Sequence, residues 1–474
     1  MSRTKSFFKT AGIYFLGNAF TKLVSFFLLP LYTNKIDPAS YGEYNLIISI
    51  INIVVPVCFL SIWDSVFRFS FDYESEDGKN KAFKIGLPMM LIGTLLIVAI
   101  TIPTYFVFGY KYPLLVCLYA IMSAYQYYYT VLARSLKHNG LFVASGCANS
   151  LISILINIVQ IVVFHRGIES FYISYSIGVV VQLLIIEIRD HFLVRLIKTK
   201  REKGIKQYFK FSIPVTLSSI SNWLLVGLTQ VFITSILGKY FNGLYSVAGK
   251  FSTVLVLGVG VFQFAWNETA YDLSREEDKM CKYKSGIDSI LKVSILITAI
   301  VIPLVKILYP FMVDKQYHES LQIVPILLFG TMANCYASFL GTVFLAEKKS
   351  SVILYTTIFA GIVNVGLEFL LIRQFQLIGA TMSLSISYLL FAVIRMTLLK
   401  KLYNISPNIM CIFLIVLIAY SVFAFYFTDS IKALLSVEFI VCSASIFILK
   451  DYLLALLKYA KKLFSRKKAE TFQK

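Results

Sequence analysis

Hydrophobic residues gather in long runs along this chain, and short polar stretches separate the runs. Most runs have about 20 residues, the length with which an α-helix crosses the ~30 Å hydrocarbon core of a bilayer. The polar breaks contain charged residues, Gly, Pro, Asn or Asp, which end helices and start turns. The pattern predicts about fourteen transmembrane helices, near residues 10–33, 42–64, 85–108, 113–133, 141–164, 170–188, 208–236, 243–266, 286–309, 321–345, 351–372, 378–398, 408–427 and 431–449. Spans three and four, and the last two spans, are joined by very tight links, so the alternative is twelve or thirteen spans.

Composition supports an all-α polytopic membrane protein. The 474 residues are 58% hydrophobic and 15% charged, whereas soluble domains are about 25% charged. The seven cysteines are scattered without a CxxC pair or a histidine cluster, which predicts neither a disulfide framework nor a metal site. The sequence contains no GxxxxGK[ST] phosphate loop and no Ser-His-Asp arrangement. We therefore expect no cofactor and no enzyme activity.

The positive charge is distributed unevenly across the predicted membrane. Of the 45 Lys and Arg residues, 33 lie in the segments on the amino-terminal side of the predicted helices and 7 in the links on the other side. The positive-inside rule then places both termini in the cytoplasm of a multi-pass protein of the cytoplasmic (inner) membrane. The net charge of +20 thus faces anionic lipid headgroups, which argues against a nucleic-acid partner.

The sequence contains an internal repeat. At an offset of 201 residues, Gly42 aligns with Gly243 and Tyr44 with Tyr245. Spans one to six therefore correspond to spans seven to twelve in the same orientation, which predicts two six-helix lobes with a cavity between them. The predicted organisation is an N-terminal lobe at 1–188, a cytoplasmic linker at 189–207, a C-terminal lobe at 208–400, and spans thirteen and fourteen with a basic tail at 401–474.

The links between helices are short, and the first external one is typical. In LLPLYTNKIDPASYGEYNL (28–46), Asp37-Pro38 is expected to start a tight hairpin that Gly42 permits. LGKYFNGLY (237–245) repeats the hairpin in the second half.

These motifs resemble the Wzx-type polysaccharide flippases of the multidrug/oligosaccharidyl-lipid/polysaccharide (MOP) exporter superfamily. Three motifs carry the resemblance, which extends over about residues 8–400. They are the first hairpin, the segments FSIPVTLSSISNWLL and LGKYFNGLYSVAGKF in the second half, and VNVGLEFLLIRQFQLIGATMSLSISYLL (363–390). The chain departs from the family pattern at Thr229-Gln230, where many relatives have Asp-Arg, and at Glu368, where Asn is usual.

The resemblance implies a V-shaped transporter driven by an ion or other gradient. Its expected activity is to move undecaprenyl-diphosphate-linked oligosaccharides from the cytoplasmic to the outer leaflet, for O antigen or capsule assembly. The implied partners are the lipid-linked oligosaccharide, membrane lipids, a polysaccharide polymerase and a chain-length regulator.

Charges inside a bilayer are costly, so they indicate a wet cavity or an ion pair. Lys22 and Lys250 lie well inside their runs, and we expect them to compensate a diphosphate in a cationic cavity; snorkelling or a structural pair is the alternative. Arg68 lies at a cytoplasmic mouth and is a candidate entry site, although a topogenic surface charge explains it equally well.

Three acids and four uncharged polar residues complete the predicted site. Glu368 is the candidate for ion coupling, while Asp64 and Glu268 are candidates for ion pairs with Arg68 or a cavity lysine. The predicted polar lining is Asn18, Thr21, Ser25 and Asn222. These groups can hydrogen-bond sugars, but they can also join helices in lipid.

Three other functions remain open at this level. A lipid II flippase also has fourteen spans and a cationic cavity. A multidrug exporter of the same superfamily commonly has an acidic residue in the first span, where this chain has Lys22. A membrane polysaccharide polymerase is expected to have a large external loop, and the external links here are short.

Overall fold

All regular structure in the described part of this chain is helical. The structure, a computed structural model, describes residues 23–199, 204–274, 276–408, 411, 413–448 and 450, apart from the side chains of 261, 264, 265 and 268; no strand occurs in these ranges. The helices are α1 (Leu29–Lys35), α2 (Pro38–Cys58), α3 (Ile62–Ser70), α4 (Glu76–Phe108), α5 (Pro113–Ser135), α6 (Asn139–Val162), α7 (Glu169–Asp190), α8 (Phe192–Lys198), α9 (Ile205–Val226), α10 (Leu228–Ile236), α11 (Lys239–Leu273), α12 (Lys279–Met312), α13 (Val324–Ala346), α14 (Ser350–Tyr403), α15 (Ile415–Phe427) and α16 (Ile431–Ile448), with a 3-10 helix at Lys315–Ile323. The predicted all-α fold is confirmed.

Within the described ranges, nine helices are long and apolar enough to cross a membrane, and ten if α9 and α10, which meet at 43°, form one bent span. The 54-residue α14 is two helices, because Gln376 breaks it with φ 50° and ψ −129°. A Cβ on Gly379 would approach the carbonyl carbon of Leu371 to 2.5 Å, so the chain reversal needs glycine there. The multi-pass membrane protein is thus confirmed, and the total of fourteen spans stays a prediction.

The first hairpin follows from its local sequence. Asp37 caps α2 by accepting a hydrogen bond from the backbone N–H of Ser40 at 2.9 Å, and Pro38 occupies the first helical turn. Only two residues separate α1 from α2, which explains the brief polar break. Gly42 lies inside α2 instead of in the turn. Its predicted role in the turn is therefore wrong, and its actual contact is described below.

The described chain divides into two compact units. The first contains the residues up to Lys250 together with Met312–Ile323 and Ser350–Ser387. The second contains Phe251–Phe311, Val324–Lys349 and the described residues from Tyr388 onwards. The two units are defined by how densely their residues contact one another. The predicted lobes are defined by the sequence repeat, and their boundaries stay a prediction.

Within the first unit, the two repeat-related glycines lie against each other. A Cβ on Gly42 would come within 3.0 Å of the carbonyl oxygen of Lys239 and lie 2.6 Å from the backbone nitrogen of Gly243. A Cβ on Gly243 would in turn lie 2.7 Å from the carbonyl carbon of Pro38. Real Cβ atoms essentially never approach other atoms this closely. The amino-terminal turns of α2 and α11 therefore touch backbone to backbone, which only glycine allows.

Polar side chains hold this glycine contact together. Asn242, fully buried, donates from Nδ2 to the carbonyl oxygen of Gly42 at 2.8 Å. Lys239 Nζ lies 2.9 Å from Glu43 Oε2, and Glu43 Oε1 accepts a hydrogen bond from the backbone of Lys111 at 3.1 Å. The contact thus combines close packing with hydrogen bonds to both helix ends.

The second unit contains a buried arginine. Arg395 is 3% exposed, and its Nη1 donates to the carbonyl oxygen of Ala337 at 2.7 Å. Its guanidinium carbon lies 3.9 Å from the centroid of the Phe391 ring. A Cβ on Gly341 would lie 2.7 Å from Arg395 Nη1, so the small residue makes room for the guanidinium. The planar group both stacks and donates, which an ammonium cannot do in the same way.

Candidate functional site

A polar cavity of about 510 Å³ lies inside the first unit, walled mainly by α5, α6 and α7. Its volume is within the ~300–1,000 Å³ of ordinary small-molecule pockets. We call it the amide cavity because several Asn and Gln side chains line it. The described residues that line it are all uncharged: Ser25, Tyr32, Tyr44, Gln126, Tyr127, Thr130, Phe142, Val143, Gly146, Cys147, Asn149, Ser150, Ser153, Ile154, Asn157, Phe171, Ser174, Tyr175 and Gln182.

Gln182 is the centre of a hydrogen-bond network on the cavity wall. Its Oε1 accepts from Gln126 Nε2 at 2.8 Å and from Asn149 Nδ2 at 2.9 Å. Gln126 Oε1 accepts from the hydroxyl of Tyr175 at 2.7 Å, and Asn149 Oδ1 accepts from Ser153 Oγ at 3.0 Å. The network joins α5, α6 and α7 and fixes the orientation of each amide, as a connected polar cluster does.

Close helix packing makes the network possible. A Cβ on Gly178 would lie 2.8 Å from the backbone oxygen of Asn149 and closer still to the side chains of Asn149 and Ser153. Glycine at this position therefore lets α6 and α7 approach until their amides meet. The ring of Tyr175 stacks on Tyr119, with ring centroids 4.0 Å apart. Stacking fixes Tyr175, which in turn orients Gln126.

A buried carboxyl occupies a separate position in the first unit. Glu368, Asn364 and Thr229 are all fully buried, and Asn364 Nδ2 lies 3.0 Å from Glu368 Oε1 and 3.4 Å from Thr229 Oγ1. Glu368 Oε2 and Asn364 Oδ1 have no hydrogen-bond partner among the described residues. Oxygen atoms of this kind bind protons or hard cations. No group of three or more His, Cys, Asp or Glu able to hold a metal ion occurs in the described part of the chain.

Among the predicted lining residues and membrane lysines, Ser25, Asn222 and Lys250 lie in the described part of the chain. Ser25 lies on the wall of the amide cavity, whereas Asn222 is exposed on α9. Lys250 is half-buried in α11, and no ion-pair partner for it is found in the described ranges. Lys22, Asn18 and Thr21 lie outside the described residues.

Arg68 and Asp64 are not among the residues that line the amide cavity. Arg68 forms an exposed ion pair with Asp72 at 2.8 Å on α3. Asp64 is partly buried on the same helix. The side chain of Glu268 is outside the described part. These predictions for Arg68, Asp64 and Glu268 stay predictions, as do those for the residues named before them.

Sequence reasoning missed most of the cavity wall. The run YQYYYT (125–130) contributes Gln126, Tyr127 and Thr130, and its polarity within a predicted span was the available signal. Asn149 and Gln182, near the middle of their apolar runs, gave the same signal. A single amide in a span is equally compatible with helix-to-helix hydrogen bonding. Only the folded chain shows that these amides converge.

The chain is similar to proteins of a known family. Residues 7–266 match the family described as "Polysaccharide biosynthesis protein". The "Capsular polysaccharide biosynthesis protein CapF" of Staphylococcus aureus is 26% identical over 189 residues, which cover 38% of this chain and 47% of that relative. The match thus spans about half the length of the relative.

Solved transporter structures have a similar fold. The lipid II flippase MurJ in an inward closed conformation aligns with a TM-score of 0.68 and 16% identity, covering 93% of this chain and 100% of that one. A multidrug resistance MATE family transporter of the MOP superfamily, in an inward-facing conformation, aligns with a TM-score of 0.65 and 16% identity over 82% of this chain and 96% of the other. These similarities confirm a MOP-type fold.

Proposed function

Because the chain belongs to the polysaccharide biosynthesis protein family, we propose that it translocates undecaprenyl-diphosphate-linked oligosaccharides across the cytoplasmic membrane. The units move from the cytoplasmic to the outer leaflet, where a polymerase and a chain-length regulator assemble cell-surface polysaccharide. Both termini are cytoplasmic in this proposal. The proteins that share the fold are described as a flippase and a transporter, which supports transport over catalysis.

The amide cavity is the observation that carries the proposal. Its walls include α6 and α7, two helices that are long and apolar enough to span a membrane. Polar groups at membrane depth cost free energy unless they bind water, each other or a ligand. A hydroxyl-rich glycan crossing the bilayer needs such a surface, because it exchanges its hydration for protein hydrogen bonds.

The Gly42–Gly243 contact supports transport by alternating access. In the predicted topology, both hairpins lie on the external side, so the contact closes the pathway to the outside. The two helix ends belong to corresponding positions of the two halves, which are the elements that rock in transporters built from repeats. Separation of the glycines then opens the external side.

Charge compensation and energy coupling complete the proposal. Lys22, Lys250 and Arg68 are proposed to compensate the diphosphate, since a bare dianion is costly in a low-dielectric pathway. The Glu368–Asn364–Thr229 cluster is proposed to bind the coupling proton or monovalent cation, because two of its buried oxygens lack partners in the described protein. Binding of an ion there alters the charge of α14, and it thereby favours one conformation over the other.

Reconstitution tests the proposal directly. The purified full-length protein is placed in vesicles that contain an undecaprenyl-diphosphate oligosaccharide with a fluorophore on the glycan, and a membrane-impermeant reductant is added outside. In empty vesicles, the half of the labelled lipid in the inner leaflet is protected from the reductant and stays fluorescent. We expect the protein to move this lipid to the outer leaflet, so that the reductant quenches its fluorescence as well. Protection equal to that in empty vesicles contradicts the proposal. Faster movement of lipid II favours the lipid II flippase, and transport of cationic dyes alone favours the multidrug exporter.

A further inference from the structure

Two polar groups on the wall of the amide cavity lack a partner within the described protein. Asn157 is 3% exposed, and its Oδ1 is buried without a hydrogen bond to any described residue. Gln182 is 2% exposed and uses Oε1 for both of its hydrogen bonds, which leaves the Nε2 donor unused among the described groups. The cavity thus presents one free acceptor and one free donor. A ligand hydroxyl can donate to the first and accept from the second.

Aromatic rings line the same cavity. Tyr44 stacks on Phe171 with ring centroids 4.6 Å apart, and Tyr175 stacks on Tyr119. Tyr44, Phe171 and Tyr175 all line the cavity. The face of an aromatic ring is electron-rich and attracts weakly positive C–H groups. A sugar ring matches this combination, because its faces carry C–H bonds and its rim carries hydroxyls.

The lining contains no charged residue among the described ones. A carboxylate or phosphate bound there would lose its hydration without gaining a cation from the described lining. Uncharged hydroxyl and acetamido groups are satisfied by amides and hydroxyls instead. The chemistry of the described lining therefore favours an uncharged ligand.

We infer that the amide cavity is the glycan-recognition site and that it binds an uncharged sugar ring, while the diphosphate lies outside it. This inference rests on the proposed function, whose substrate it specifies further. Asn157 and Gln182 are the specificity-determining residues that touch the sugar. Gln126 and Tyr175 are positioning residues, because they hold Gln182 in place through the hydrogen bonds described above.

Two lipids that differ only in the charge of their sugar test the inference. The probes are undecaprenyl diphosphate carrying an N-acetylhexosamine and the same lipid carrying a hexuronic acid, titrated into the full-length protein in lipid nanodiscs. We expect the neutral lipid to bind at least tenfold more tightly. Asn157→Leu and Gln182→Leu, which keep the side-chain size but remove the hydrogen bonds, are expected to weaken its binding by about tenfold.

The matched control is Gln263→Leu. Gln263 is a hydrogen-bonded glutamine on α11 outside the cavity, with its Nε2 2.7 Å from Asn267 Oδ1. We expect this variant to bind the neutral lipid like the wild type. Tyr175→Phe removes only a hydroxyl, and we expect it to reduce the preference for the neutral lipid in a protein that still folds. If Gln182→Leu does not fold, Asn157→Leu and Tyr175→Phe decide the outcome.

Equal binding of the two lipids overturns the inference, and so does wild-type affinity in both leucine variants of the cavity. Flipping of the same lipids, measured in parallel, separates this inference from the proposed function. Flipping without discrimination between the two lipids overturns sugar recognition by the cavity and leaves the flippase standing. Selective binding without any flipping supports recognition by the cavity and contradicts the flippase.

Discussion

Replacing Gly42 or Gly243 with alanine tests the role of the glycine contact. The added methyl group meets backbone atoms, 2.6 Å away at the nitrogen of Gly243 in one variant and 2.7 Å away at the carbonyl carbon of Pro38 in the other. Backbone cannot rotate aside as a side chain can. Overpacking of this kind costs about 1–3 kcal/mol. Since 1.4 kcal/mol corresponds to a factor of ten, the population with separated helix ends should rise about 5- to 150-fold.

Thiol labelling measures that population. Ser246 lies one turn beyond Gly243, is 7% exposed, and its hydroxyl has no hydrogen-bond partner in the described protein, so Ser246→Cys is a mild reporter. The seven native cysteines are first replaced by serine or alanine. We expect either alanine variant to raise the labelling rate of Cys at 246 by the factor given above, because labelling requires the contact to open.

The control is Gly366→Ala, where the added Cβ has no other atom within 4 Å. It introduces the same change of residue into a helix without a clash, and the labelling rate should stay at the value of the parent protein. If Gly42→Ala and Gly243→Ala label no faster than this control, close backbone packing does not hold the two helix ends together, and the proposed external closure is refuted.

Three further predictions concern single charged residues. Glu368→Gln should abolish the dependence of lipid-linked oligosaccharide flipping on a pH or Na⁺ gradient, because it removes the ionisable oxygen; dependence that persists in vesicles excludes Glu368 as the coupling group. Lys250→Ala should slow flipping while Lys250→Arg retains it, because arginine keeps the positive charge at this position and alanine removes it. Equal flipping in the two variants at matched protein levels would exclude Lys250 from the pathway. Arg395→Lys should lower the free energy of unfolding by about 2 kcal/mol, because an ammonium cannot both stack on Phe391 and donate to the Ala337 carbonyl oxygen as the guanidinium does. Chemical denaturation measures this loss, with Arg189→Lys at an exposed arginine as the control. Equal stability of the two variants would show that the guanidinium geometry contributes little.

Much of the candidate site was beyond the reach of sequence analysis. Glu368 could be singled out because a carboxyl in an apolar run is costly wherever the run folds. Hydropathy does not show that Asn364, four residues before Glu368, and Thr229, on another helix, lie beside this carboxyl. The glycine pair shows the opposite case. The repeat aligned Gly42 with Gly243, but the alignment states only that they are equivalent, and the fold shows that they touch.

The sequence by itself determined that the chain is a membrane protein, that it is helical and that it contains an internal repeat. These properties depend on hydropathy, on the length of the apolar runs and on local turn chemistry, all of which are present in short segments. Only the tertiary structure decided which polar side chains share a space. Gln126, Asn149 and Gln182 come from three helices, and their convergence depends on how those helices pack around Gly178, which no single segment specifies.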